Sequence, residues 1–152
     1  MPRQFKQLLA ELEMLSFTDR ISSGNKTTAS SALLADFFET LPFPAWIKVL
    51  DETGKLRMAY VNKAYEEHVG ISVSEYFSKE DAELWTSPEV EQFHDNDKQA
   101  IEARAPIPTA EVATDPLSGK ESVWKGHKWP IIRSDGVIAV CGYALLPVNK
   151  EA

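Results

Sequence analysis

The sequence predicts an α+β domain in which a two-stranded hairpin is followed by several helices and then by three strands in an antiparallel meander. Three stretches carry that expectation. AWIKVL and LRMAYV, residues 45–50 and 56–61, are strand-like runs separated by the turn DETGK, with its glycine placed late. SPEVEQFHDNDKQAIEARAP, residues 87–106, has a serine to cap a helix, a proline at its first position and an interrupted apolar face of Val90, Phe93, Ala100 and Ile101 before Pro106 stops it. TAEVAT, SVWKGHKWPIIR and VIAVCGYALLPV then read as strands, joined by DPLSGK and SDG.

The remaining elements follow in order. Phe5, Leu8, Leu9, Leu12 and Leu15 recur at helical spacing with polar residues between them, so the chain opens with an amphipathic helix whose apolar stripe needs a cover. TDRISSGNKTTASS, residues 18–31, has the composition of a flexible connection. SALLADFFETL reads as a short helix stopped by Pro42 and Pro44, with Ser30 or Ser31 as its cap. After the hairpin, Asn62 caps a helix KAYEEHV that ends at Gly70, and VSEYFSK reads as a second short helix. Residues 1–40 are thus expected to form a helical extension and linker for dimerisation or capping, and residues 41–148 the compact domain.

Composition narrows the function. Sixteen Lys and Arg against 23 Asp and Glu give a net charge of -7, which predicts neither a nucleic-acid nor an anionic-membrane surface, since both attract clustered positive charge. The single cysteine, Cys141, forms no internal disulfide and fits a reducing compartment, and Glu11 and Glu13 interrupt the first apolar stretch, so a cytoplasmic protein is expected. Cys141 sits in an apolar strand and reads as a small packing residue.

LPFPAWIKVLDETGKLRMAYVNKAYEEHVGIS, then FHDNDKQAIEARAPIP, then KWPIIRSDGVIAVCGYA resemble a PAS domain, the small sensory module of bacterial signalling proteins, over roughly residues 41–146. The most specific parts are Tyr60–Ala64, the spacing from Phe93 through Asp97 to Pro106, and Lys128-x-Pro130 before Asp135-Gly136 and Gly142. The resemblance implies a five-stranded antiparallel sheet with helices over one face, enclosing a ligand-sized cavity.

It also implies what to ask of each cofactor. The photosensory flavin branch carries its reactive cysteine after the second strand, where this chain has GISVSEYFSKEDAELW and none, so a flavin photocycle is not expected. Comparison with the haem branch puts the iron-ligand position at Phe93; His94 is one residue on, and a helix turns about 100° per residue, so haem is not expected either. His94, Asp95 and Asp97 do not share one helix face, and His68 and His127 lie on other elements, so no metal is expected. No covalently bound cofactor is expected.

By the same comparison Val140, Gly142 and Ala144 face the cavity, as do Trp124, Gly126 and Lys128 on the preceding strand, Val61 on the second and Phe93 on the long helix. Gly126 opens space, Trp124 gives an aromatic wall, and Lys128 either offers a donor to a ligand or runs to the rim. Met58, Tyr60, Cys141, Tyr143 and Leu145 are expected to form an apolar outer face, covered by the stripe Phe5, Leu8, Leu9, Leu12 and Leu15 in the same chain or a second copy. A homodimer, or a signalling protein acting in trans, follows from that expectation. Asp97 with Lys128 or His127 carries no recognisable catalytic motif, so no enzyme is expected. Two readings stand: a module that binds a small aromatic or carbonyl-bearing ligand, and a ligand-free interaction module whose cavity is filled by Trp124 and Phe93.

Overall fold

A computed structural model describes residues 31–115, 118–134 and 136–147. The stripe Phe5, Leu8, Leu9, Leu12 and Leu15, and the connection through residue 30, lie outside the described residues. Helix α1 (Ser31–Glu39) leads into β1 (Ala45–Leu50) and β2 (Leu56–Val61), then α2 (Lys63–Val69), α3 (Val73–Tyr76), a 3₁₀ turn (Asp81–Glu83) and α4 (Ser87–Ala103). Strands β3 (Ile107–Thr114), β4 (Glu121–Arg133) and β5 (Gly136–Leu145) complete a five-stranded sheet of order β2-β1-β5-β4-β3, antiparallel throughout.

Asp51 closes the first hairpin. Its Oδ1 accepts from the N–H groups of Thr53 at 2.8 Å and Lys55 at 3.0 Å, and Arg57 Nε donates to Oδ2 at 2.8 Å. Those contacts outweigh the opposing effect of burial and hold the carboxyl well below its ordinary pKa.

Asn62 joins four segments. Its Oδ1 accepts from Tyr65 N–H, capping α2, and from Ala45 N–H, both at 3.0 Å, while Nδ2 donates to the carbonyls of Phe38 at 3.2 Å and Phe43 at 3.0 Å. The residue is fully buried, so truncation removes a cap and also orphans groups that water does not reach. Asn62→Ala is expected to lower the unfolding free energy by about 2 kcal/mol in urea denaturation. A loss below about 0.5 kcal/mol, the range of an ordinary surface substitution, would show that these bonds do not hold the segments together.

Two details depart from the sequence expectation. The N-cap of α4 is Thr86 rather than Ser87, and its N–H donates to the Glu89 carboxylate at 3.1 Å. In β2, Ile47 pairs with Tyr60 but Lys48 pairs with Met58, so Ala59 is an extra residue. That bulge resets the alternation: Met58, expected on the outer face with Tyr60, turns inward beside Val61. Tyr60 does face outward, where Phe38 of α1 packs on its ring and its hydroxyl donates to Glu39 at 2.8 Å.

Both sheet edges carry partners that are not strands. On β2, Ser78 N–H donates to the Met58 carbonyl at 2.8 Å and Met58 N–H to Lys79 at 2.9 Å. On β3, the Gln92 amide accepts from Val112 N–H at 2.8 Å and donates to its carbonyl at 2.5 Å, and Glu89 accepts from Thr114 N–H at 2.9 Å.

Candidate functional site

Between the helices and the inner face of the sheet lies a half-open cavity of about 700 Å³, within the usual size range for small-molecule sites. Its wall is largely aromatic and aliphatic: Trp46, Met58, Tyr65, Tyr76, Leu84, Trp85, Phe93, Trp124 and Ala144, with Lys48, Lys128 and Glu111 among the polar groups. Cross-strand pairing puts them there. Trp46 lies opposite Gly142 and Lys48 opposite Val140, while Glu111 lies opposite Trp124 and Gly142 opposite Lys128, so these residues share one face.

Of the residues expected to line a pocket, Phe93, Trp124, Lys128 and Ala144 lie in the cavity wall. Val61, Gly126, Val140 and Gly142 do not, although they face the same side. Val61 is packed in the core cluster with Trp46, Met58 and Tyr65, and Val140 is fully buried in the sheet beside Lys48. Gly142 is covered by the Trp46 indole, whose ring atoms would meet any Cβ placed there. Gly126 opens no cavity space either: a Cβ would overlap the Tyr143 carbonyl oxygen on the neighbouring strand. The glycines admit an aromatic ring and a backbone, respectively. Tyr143, expected at a dimer or cap contact, has partners in its own chain: its hydroxyl lies 2.7 Å from His127 Nδ1, and Phe43 and Trp129 pack near its ring.

Lys128 neither reaches the rim nor stands free. It is 1% exposed, and its Nζ lies 2.9 Å from Asp97 Oδ1 and 2.7 Å from Glu111 Oε1. Those two contacts are ionic in distance without being aligned as hydrogen bonds; the aligned bond goes to the Phe93 carbonyl at 3.3 Å. A second buried ammonium, Lys48, donates to Asp81 Oδ2 at 2.6 Å and to Asp97 Oδ2 at 2.9 Å. Asp97 therefore bridges the two lysines. From Asp81 the network runs outward, since Tyr76 hydroxyl donates to Asp81 Oδ1 at 2.5 Å and Trp85 Nε1 donates to Tyr76 at 2.9 Å.

Protonation states follow from this packing. Burial alone works against the Lys48 ammonium, yet Asp97 and Asp81 outweigh it and hold its pKa above the ordinary lysine value. Burial likewise opposes the Asp81 carboxylate, and the Lys48 charge and hydrogen bond reverse that, leaving its pKa below the ordinary range. The Tyr76 phenol is pushed upward, chiefly by burial, and stays a donor. Two lysine side chains thus face three carboxyl groups, Asp81, Asp97 and Glu111.

Sequence reasoning named Lys128 and set Asp97 beside it, and missed Lys48, Asp81 and Glu111. Lys48 was legible, since it alternates with Trp46 inside an apolar strand. Asp81 was not, because it sits in a 3₁₀ turn with no periodic pattern. His94 is more than half exposed, its Nε2 4.0 Å from Asp81 Oδ2, and it is not in the cavity wall. Cys141 is buried on the opposite face of the sheet, pairing with Ile47, and burial pushes its thiol up to about 12. Among the described residues no group of three or more His, Cys, Asp or Glu is arranged to hold a metal ion. No helix among them is long and apolar enough to cross a membrane.

This architecture defines a known class. Residues 41–145 match the family described as PAS fold, and the chain belongs to that family. Among solved structures it is similar to the PAS domain of a Colwellia psychrerythraea protein, with 16% identity and a TM-score of 0.59 over 79% of this chain and 98% of the other. It is also similar to an RNA-binding Light-Oxygen-Voltage receptor, with 16% identity and a TM-score of 0.63 over 79% of this chain and 34% of the other. A third is the Vibrio cholerae VqmA–ligand–DNA complex, with 19% identity and a TM-score of 0.61 over 80% of this chain and 52% of the other. No curated protein matches the chain.

The receptor structures correct one expectation. Net negative charge predicted no contact with nucleic acid, yet this fold occurs in a receptor described as RNA-binding and in one solved with DNA. The present chain spans 34% and 52% of those two. The charge of a PAS module reports on its own surface and leaves open what other segments of a receptor contact.

Proposed function

We propose that the chain is a sensory PAS module that takes a small molecule into the cavity over its sheet and passes occupancy on through protein contacts. The observation that supports this reading is the cavity itself: about 700 Å³ remains open between aromatic walls, where a module serving contacts alone would fill its core to ordinary packing density. A VqmA of the same fold solved with a ligand is in keeping with it. The reading is of a binding module and not an enzyme. Both cavity lysines are tied to carboxylates, and a Lys48 held as an ammonium has no lone pair for nucleophilic or base chemistry.

The ligand in this reading is neither haem nor a photoactive flavin. His94 is outside the cavity wall, and Cys141 lies on the far side of the sheet with a thiol too weakly acidic for ready reaction.

Native and denaturing mass spectrometry of freshly purified protein, with an absorbance spectrum of the same sample, tests the reading. A discrete mass released on denaturation, with no Soret or flavin band, is expected. A chromophore band would overturn the exclusion of haem or flavin. An apo mass, together with no change in the spectra of cavity residues on screening small molecules, would overturn the ligand itself in favour of an interaction module.

A further inference from the structure

We propose, on the footing of that ligand-binding reading, that the molecule taken up is a cation: a protonated amine on a compact aromatic or apolar body, its ammonium seated between Glu111 and Trp124. A free lysine donor would favour a carboxylate or carbonyl ligand, but the cavity has none to offer. Lys128 is engaged by Asp97, Glu111 and the Phe93 carbonyl, and Lys48 by Asp81 and Asp97. An anion entering here would meet carboxylates that already outnumber the ammoniums. The wall carries four carboxylates, Glu67, Glu89, Glu111 and Asp115, against the two lysines, with Glu67 at the exposed end paired to Lys63 and with Asp81 and Asp97 packed behind. Glu89 is buried and bonded to the N–H groups of Thr86 and Thr114, so its charge is satisfied by donors without being cancelled by a cation.

The position of the ammonium follows from one juxtaposition. Glu111 and Trp124 are directly opposed on β3 and β4, and both line the cavity. Glu111 is more than nine-tenths buried, Lys128 is its partner among the described residues, and its Oε1 lacks an aligned hydrogen-bond donor. A carboxylate beside an indole is the combination that favours an ammonium through ion pairing and the negative face of the ring together. The same cavity already seats ammoniums against aromatic rings, with Lys128 Nζ 5.5 Å from the Phe93 centroid and 5.9 Å from that of Trp46, and Lys48 Nζ 5.9 Å from Phe93. Among the described residues no lysine or arginine is placed over the Trp124 ring in that way.

A matched panel separates charge from shape: phenethylamine and tryptamine, the corresponding alcohols, and phenylacetate and indole acetate, each titrated into the full chain by calorimetry and nitrogen–proton correlation spectra. The amines are expected to shift Glu111, Trp124 and their neighbours and to bind at least about tenfold tighter than the alcohols, with the acids weakest. Glu111→Gln is expected to remove that preference, the amines losing at least about tenfold relative to the alcohols. Should that variant fail to fold, Trp124→Leu reads the same loss, and the wild-type ranking decides in either case. Alcohols or acids binding as tightly as the amines would overturn the cationic ligand and leave a ligand-binding cavity standing. No member shifting any cavity residue would overturn both.

Discussion

Asp97→Ala is expected to lower the unfolding free energy by about 3 kcal/mol, a large share of a domain's margin. Asp97 is 1% exposed and is the only carboxylate, among the described residues, that touches both buried lysines. Its removal leaves Lys48 with Asp81 and Lys128 with Glu111, each ammonium losing one of two counter-charges where water does not compensate. The cost is that of counter-charge and hydrogen bonding withdrawn from two buried lysines, each of which keeps one carboxylate partner. Asp97→Ala combined with Lys128→Met strands the buried Glu111 carboxylate in its turn, so the double variant is expected to be less stable than the single one. Urea denaturation followed by tryptophan fluorescence measures both. A single-variant loss under about 1 kcal/mol, the scale of a surface ion pair, would mean that Asp97 does not hold the network.

Gly126→Val is expected to cost at least about 3 kcal/mol, at the upper end for an overpacked interior. The nearest atom to a Cβ at this site is the backbone carbonyl oxygen of Tyr143, followed by the Tyr143 carbonyl carbon and the Ala144 Cα. A side-chain neighbour rotates aside; a ladder backbone moves only with its strand. The displaced residues are Tyr143 and Ala144, opposite His127 and Gly126 in the β4–β5 pairing, so Ala144 in the cavity wall shifts with them. Gly142→Ala is the informative comparison, because its Cβ meets the Trp46 ring, which has a side-chain torsion to yield. Gly126→Val falling no further in thermal melting than Gly142→Ala would refute the backbone-contact argument.

These glycines show where sequence reading stopped. Alternation put Gly126 and Gly142 on the inner face correctly, but it cannot tell whether the room left by a missing side chain belongs to a ligand or to a neighbour. The same limit applies to Val61 and Val140, inward and yet beneath the cavity wall. The hairpin, the Asn62 cap and the long helix were legible because each depends on residues adjacent in sequence: a late turn glycine, a capping amide, a proline at the helix start. Met58 was misplaced because the Ala59 bulge leaves no compositional mark and reverses the parity of every residue before it. The five-membered charge network was illegible for another reason. Its members come from β1, the 3₁₀ turn, α4, β3 and β4, and only the tertiary fold brings 81, 97 and 111 to the two lysines.

The closed edges of the sheet bear on how this protein meets others. An open outer strand offers a row of unpaired amides to any passing chain, the common starting point for fibril growth and for partners that dock by adding a strand. Here the loop after α3 takes the Met58 groups, and Gln92 and Glu89 of α4 take those of Val112 and Thr114. Recruitment of a foreign strand at those points would first have to displace the loop on one side or the α4 side chains on the other, and α4 also carries Phe93 of the cavity wall and Asp97 behind it. Exposure of the β3 edge and opening of the cavity are therefore coupled: conditions that loosen α4 would produce both at once.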